Sequence, residues 1–290
     1  MKSSSQIPEF LSVGHVTHDQ GVGGQVRLGG AALYSSLTAC RLGKRAAVLT
    51  SYGQDFTGEG ALTGIATKVV RASQTSNFRN IYDSGGRVQH VYAAAAPLTA
   101  GDLPSVWRKS PLVYLCPVLH EVPMDMAEDF SNSLIGIAPQ GWTRRWDETG
   151  RIRSQRWHGF EELLRRSQMV IVSEEDIREH GDLVDSVRKH TPILIVTRAK
   201  QGSSIFTGGR ILRLGAYGAE ERDPTGAGDC FGAAFLIRYA ETKDIEEAGR
   251  FASCVGACVV EGEGIAGIPT REVVVHRMRR EKVVCNWETG

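Results

Sequence analysis

The sequence predicts an α/β protein with a mainly parallel central sheet and a small separate β sheet at its rim. Three observations carry this. Short aliphatic runs of strand length recur along the 290 residues. Helical segments separate most of them, the alternation that builds a parallel sheet covered on both faces. Two polar, glycine-punctuated, strand-like stretches, 15–28 and 75–98, interrupt that alternation.

The first strand is Phe10–Val13. A helix follows over about Ala31–Leu42, with Leu33, Leu37, Cys40 and Arg41 at helical spacing and Gly43 as its stop. Ala46–Thr50 reads as a buried strand, and so do Leu112–Leu115, Leu134–Ile137, Met169–Val172 and Ile193–Val196. Each is a continuous apolar run, as expected of strands covered on both faces. Helices are predicted at Gly159–Arg166 and Gly181–Lys189. In 75–98, Phe78, Asn80 and Tyr82 alternate, and Gly85-Gly86 marks a hairpin turn. Strands inserted here without helices to cover them form a small sheet projecting as a lid on a single domain, 1–290. Residues 138–154, rich in Arg and Trp, read as a surface excursion near the C-terminal edge of a strand.

Composition narrows the function classes. Apolar residues make up 41% and charged residues 23%, with a formal net charge of +1. That is ordinary for a soluble globular chain and gives no field to attract nucleic acid or an anionic membrane. No apolar run approaches the ~20 residues that span a bilayer. MKSSSQIPEF lacks an apolar signal core, so a cytoplasmic location is expected. The six cysteines form no C-x-x-C pair and read as buried thiols. His15 and His18 suggest a metal pair, but no third ligand is apparent. Arg144, Arg145 and the nearby tryptophans read as a solvated loop.

The chemistry concentrates in Arg222–Tyr239, RDPTGAGDCFGAAFLIRY. Gly226, Ala227 and Gly228 stand where an apolar helix begins. The first backbone N–H groups of a helix are unpaired and its dipole is positive there. Small residues let an anion approach those groups closely, which suits a phosphoryl group in transfer. Asp229 falls in the first turn beside that site, placed to orient an attacking hydroxyl and take its proton.

DPTGAGDCF closely resembles the C-terminal signature of the ribokinase-like, or phosphofructokinase B, family of carbohydrate kinases. The resemblance runs along nearly the whole chain. It takes in Val13-Gly14 with Asp19, Gly29-Gly30 with the helix ending Arg41-Leu42-Gly43, Tyr52–Asp55 with Gly58, and Thr197 with Gly202. It implies a ribokinase-like three-layer α/β sandwich with a β lid and ATP-dependent transfer to an alcohol. Asp229 would be the catalytic base and Gly226–Gly228 the anion hole. ATP would meet Thr197, Gly202, Thr225, Gly226, Gly228 and a helix around Cys254. Magnesium would be organised through water by Asp176 or Glu175, which replace the family's N-x-x-E pattern, and Asp223 with the Thr225 carbonyl would form a monovalent-cation (K+) site. The middle glycine of the nucleotide loop is Ala199.

The substrate would lie under the lid, against Asp19, Gly29, Gly30 and Tyr34, with Phe78 and Asn80 closing over it. Tyr34 stands where the family commonly has Asn; a phenol face suits the C–H side of a six-membered ring. Gly29–Ala32 and Val260–Gly262 are similar to the inositol-kinase branch, so a myo-inositol-like polyol is the expected acceptor. A nucleoside kinase, with Phe78 or Tyr34 lining a base slot, is one alternative. A non-catalytic sugar-binding regulator is the other. An exposed lid edge is a candidate dimer surface.

Overall fold

Among the described residues ten strands form one sheet, from edge to edge β16 (Cys285–Thr289), β15 (Arg210–Leu214), β14 (Ser203–Thr207), β13 (Ile193–Thr197), β12 (Met169–Ser173), β9 (Leu134–Ile137), β8 (Leu112–Leu115), β1 (Phe10–Val13), β4 (Ala46–Tyr52) and β5 (Ala66–Arg71). The structure is a computed structural model that describes residues 6–21, 24–83 and 86–290. From β5 to β13 every pairing is parallel. From β13 to β16 every pairing is antiparallel. The parallel part matches the sequence expectation; the antiparallel edge does not appear in it.

The helices are α1 (Ala31–Arg41), α2 (Glu161–Arg166), α3 (Glu174–Ile177), α4 (Leu183–Arg188), α5 (Ala227–Thr242), α6 (Ile245–Val260) and α7 (Arg271–Arg280). α2 and α4 are shorter at their N-terminal ends than predicted, because Gly159 and Gly181 stay outside. Gly43, at φ 85°, stops α1 as expected.

Strand alternation divides the core into two layers. Phe10, Val48, Tyr114, Ile171 and Ile195 face one way and meet α1, α5 and α6 through Leu33, Phe235 and Phe251. Leu11, Leu49, Leu115, Val170 and Leu194 face the other way and meet Trp107, Phe160, Leu164 and Val187. Both faces are buried, hence the uninterrupted apolar strands. Truncating one of these residues, such as Leu49 to Ala, costs about 2–5 kcal/mol.

A second sheet has the order β3-β2-β6-β7, from β2 (Thr17–Gln20), β3 (Val26–Gly29), β6 (Ser76–Asp83) and β7 (Gly86–Ala93). Its strands come from the two inserted stretches. The predicted turn at Gly85 lies outside the described residues, as does the side chain of Asn80, whose backbone belongs to β6. A two-stranded hairpin, β10 (Arg144–Trp146) with β11 (Ile152–Ser154), follows β9.

The Arg/Trp-rich excursion is a surface feature only in part. Trp142 is buried and its ring stacks on Trp157, and Thr143 is buried too. Residues 145–149 are exposed, whereas Ile152 on the return strand packs against the core. His15 and His18 are buried, not a metal pair. The His15 ring reaches Ser76 Oγ at 2.8 Å and the Ala96 carbonyl at 2.9 Å, and His18 stacks on Phe56. Among the described residues no helix is long and apolar enough to cross a membrane.

Candidate active site

The strand order places a topological switch beside β1. The chain runs from β1 out to β4 and β5, then returns to β8 on the other side. Ligands of open α/β sheets bind outside the C-terminal ends of the strands at such a switch. The segments leaving those ends carry the candidate residues: 14–19 after β1, the hairpin after β9, Ser173–Asp176 after β12, and Thr197–Gly202 after β13.

Gly226 caps α5 at φ 75°, ψ 0°, a left-handed conformation that suits glycine. A Cβ here would overlap the Tyr34 ring, so Gly226 lets the phenol lie flat beneath the loop. At Gly228 the direction of a Cβ is open space. The N-terminus of α5 therefore opens toward a volume that a phosphoryl group can enter. Asp229 follows in the first turn.

Asp229 is half-buried, with one side open to solvent. Its pKa is pushed up to about 7, foremost by desolvation. The Arg144 guanidinium opposes that rise, whereas the negative charges of Asp176 and Asp19 add to it. Three charged side chains from separate segments thus share a field with Asp229. Arg144 belongs to this group, although the sequence reading left it in a solvated loop. The available signal was its place in the segment that follows the parallel strand β9, seven residues after Ile137. Its own carbonyl receives the His120 ring, which fixes the base of the hairpin.

Asp176 is held by its own helix cap. Its backbone N–H donates to Ser173 Oγ at 3.0 Å, and Ser173 Oγ–H donates to Asp176 Oδ2 at 2.7 Å. Magnesium binds through one or two carboxylates together with substrate phosphates. Asp176, half-buried and sharing the field of Asp229, fits that demand; Glu175 is exposed. No group of three or more candidate metal ligands occurs among the described residues, so a cation here would rely on the phosphates for most of its oxygens.

Asp19 lies on β2 and accepts a hydrogen bond from Thr17 Oγ1 at 3.0 Å. Gly29 pairs with Thr17 in the β2–β3 register, and a Cβ on it would strike the Asp19 carboxylate diagonally across the pair. Gly30 caps α1 at φ 97°. Asp19, Gly29 and Gly30 therefore form one wall. Asp55, from the Tyr52–Asp55 segment, accepts the Thr75 N–H at 2.9 Å and its hydroxyl at 2.8 Å, tying the end of β4 to the second sheet.

The Thr197–Gly202 segment, the candidate nucleotide loop, turns sharply. Arg198 N–H donates to the Gly202 carbonyl at 2.7 Å, and Gly202 adopts φ 86°. Ala199 adopts φ 45°, a left-handed conformation that costs alanine about 1 kcal/mol. Thr197 closes β13, its hydroxyl directed at the Val172 carbonyl at 3.4 Å. Thr225 is exposed beside Gly226.

Four predicted contacts are not supported by where the structure puts the side chains. Tyr34 is 1% exposed, covered by Gly226, so it offers no face to a ligand. Its hydroxyl is buried with no hydrogen-bond partner among the described residues, and burial raises its pKa further. Phe78, on β6 of the second sheet, is buried within the core cluster and is not exposed to close over a ligand. Cys254 is fully buried, its thiol directed at the Val274 carbonyl between α6 and α7. The Asp223 carboxylate, expected to hold a monovalent cation, accepts the N–H groups of Thr225 and Gly264 at 3.0 Å each and pairs with Arg27 at 3.2 Å. Burial alone would raise its pKa, but these donors hold it below the usual carboxylate value.

Residues 153–271, which contain Asp176, the Thr197–Gly202 turn, Gly226–Gly228 and Asp229, match the pfkB family carbohydrate kinase profile. A nucleoside kinase of Methanocaldococcus jannaschii is 27% identical over 42% of this chain and 42% of its own length. The ribokinase of Bacillus subtilis is 40% identical over 28% of each. The chain thus spans less than half the length of these curated relatives. A solved structure of a pyrophosphate-dependent kinase in the ribokinase family, complexed with a pyrophosphate analog and myo-inositol, superposes with a TM-score of 0.77 at 22% identity. It covers 92% of this chain and 99% of that one. Residues 153–271 are thus similar to the pfkB family of carbohydrate kinases, in a chain whose fold is that of the ribokinase-family structures.

Proposed function

We propose that this chain is a kinase that moves a phosphoryl group onto a hydroxyl of a small cyclic polyol, with Asp229 as the general base. One observation carries the reading: a desolvated carboxylate with a pKa of about 7 stands in the first turn of a helix whose N-terminus opens onto unfilled space. A base poised near neutral pH removes a hydroxyl proton efficiently. The backbone N–H groups at Gly226–Gly228 stabilise the charge on the transferring group. Asp19 accepts hydrogen bonds from other hydroxyls of the acceptor and sets which one faces Asp229. Arg144 supplies positive charge beside the reacting oxygens and keeps part of Asp229 ionised. Asp176 would hold magnesium brought with the donor phosphates, and the ion would supply the positive charge that offsets theirs. The second sheet covers the site as a lid and limits transfer to water.

A polyol suits the site better than a nucleoside. Phe78 and Tyr34, the aromatic candidates for a base slot, are both buried, and the charged groups that share the field of Asp229 are polar hydroxyl partners. The similarity to a structure holding myo-inositol supports the cyclitol choice. The similarity to a nucleoside kinase keeps adenosine as the comparison acceptor. Comparing kcat/KM for myo-inositol, ribose, fructose and adenosine tests the assignment, and a preference for ribose or adenosine overturns the cyclitol while leaving the kinase.

The donor has two readings. ATP is the donor expected of the family. Pyrophosphate is the second, favoured by the burial of Cys254, which removes one wall expected for an adenine, and by the pyrophosphate-dependent relative. Both present a phosphoanhydride to the same anion hole, and turnover with each donor separates them. A cytoplasmic enzyme that dimerises through the lid, where Val26 and Tyr92 are exposed, completes the proposal.

A further inference from the structure

We infer that Arg27 is a built-in cation that takes the place of a bound monovalent ion at Asp223 and latches the second sheet onto the anion hole. Asp223 sits in the turn just before Gly226–Gly228, and its side chain is 8% exposed. An ionised carboxylate offers about four acceptor positions. Three are taken: Oδ1 by the Thr225 N–H, and Oδ2 by the Gly264 N–H and Arg27 Nη1. A potassium ion would have to displace the guanidinium to reach the oxygens, so the residues present do not fit a resident ion.

Arg27 comes from β3, a strand of the second sheet, and is separated from Asp223 by 196 residues. In register it stands opposite Asp19, the candidate acceptor-binding residue. One strand pair therefore carries both the group that would meet the acceptor and the group that fixes the turn before the anion hole. The Arg27 side chain is 54% exposed, so the pair lies at the rim of the second sheet. The same carboxylate organises the backbone of Thr225 and Gly264, so losing Arg27 would leave a nearly buried charge short of a partner. Arg27 is on this account a positioning residue: it acts on the anion hole through Asp223.

The kinetic part of this inference rests on the kinase reading, and the binding part does not. The test compares the full chain with Arg27→Met, which keeps the stem and removes the charge, and with Arg27→Lys. Rates are measured with potassium or tetramethylammonium as the sole monovalent cation, and crystals are soaked in thallium(I), a heavy-atom substitute for potassium. The wild-type rate should be the same in both salts, with no anomalous peak at Asp223. Arg27→Met should lose about tenfold or more in tetramethylammonium, recover several-fold in potassium, and bind thallium at Asp223. Arg27→Lys should behave as wild type.

Potassium activation of the wild type, a thallium peak beside its Asp223, or an Arg27→Met variant equal to wild type in both salts would overturn the inference. If the wild type phosphorylates no acceptor, the kinase reading fails, and the thallium sites still decide whether Arg27 excludes the ion. If Arg27→Met does not fold, thallium in crystals of wild type and Arg27→Lys gives the decision.

Discussion

Replacing Asp229 with Asn should stabilise the protein at alkaline pH while removing its activity. The carboxyl is lifted from 3.8 to about 7 by desolvation. A carboxylate whose folded pKa is raised binds its proton more tightly in the folded state. The stability this provides is fully present below the unfolded pKa, near 4, and is lost as pH rises through 7. Each unit corresponds to about 1.4 kcal/mol, so a rise of roughly three units sets a ceiling of about 4 kcal/mol. One open side lowers this, and about 1–3 kcal/mol is the working expectation. An amide has no such proton to lose. Differential scanning calorimetry of wild type and Asp229→Asn at pH 4, 6 and 8 reads the difference directly. The Tm gap should be small at pH 4 and should favour the variant by about 2–8 °C at pH 8. A gap that does not change with pH would show that the carboxyl is not desolvated, and the argument for a base poised near neutrality would fall with it.

Further outcomes follow from the same geometry. Gly228→Val should fold normally, since a Cβ meets nothing there, yet transfer should fall at least about tenfold as the side chain fills the anion space; a collapsed thermal transition would instead assign the glycine to packing. Arg144→Ala should move the acidic limb of the kcat/KM–pH profile upward, because its charge holds the Asp229 pKa down, and an unmoved limb would place Arg144 outside the site. Asp176→Ala should raise the magnesium concentration needed for half-maximal rate, and turnover that survives chelation would refute the cation's role altogether. Ala199→Gly should raise stability by about 0.5–1 kcal/mol by relieving the φ of 45°, read as a higher denaturation midpoint.

The parallel half of the fold was legible because its strands are buried on both faces and so read as unbroken apolar runs. β16 was not, since Cys285–Thr289 alternates between half-buried and exposed positions at the sheet edge and follows a charged stretch. The helix start at Gly226 with Asp229 in its first turn was legible because a run of small residues before an apolar stretch marks a helix N-terminus. Side-chain direction was not. Tyr34 stands at the expected place in the chain, but Gly226 leaves a slot that draws its ring under the loop. Cys254 faces α7 for a similar reason, as α6 turns its apolar side inward. Arg144 and Arg27 act through contacts with segments far along the chain, and no local pattern announces such contacts.

The central claim is that Asp229 drives phosphoryl transfer to an alcohol. Its most direct test is mass-spectrometric detection of phosphomonoester formed from myo-inositol, ribose, fructose or adenosine. Each acceptor is supplied with magnesium and either ATP or pyrophosphate, and the wild type is run beside Asp229→Asn. The account predicts a phosphorylated product from the wild type and a turnover about 10²–10⁴-fold lower from the variant. Product formed equally fast by both proteins, or by neither with any acceptor and donor, would contradict it.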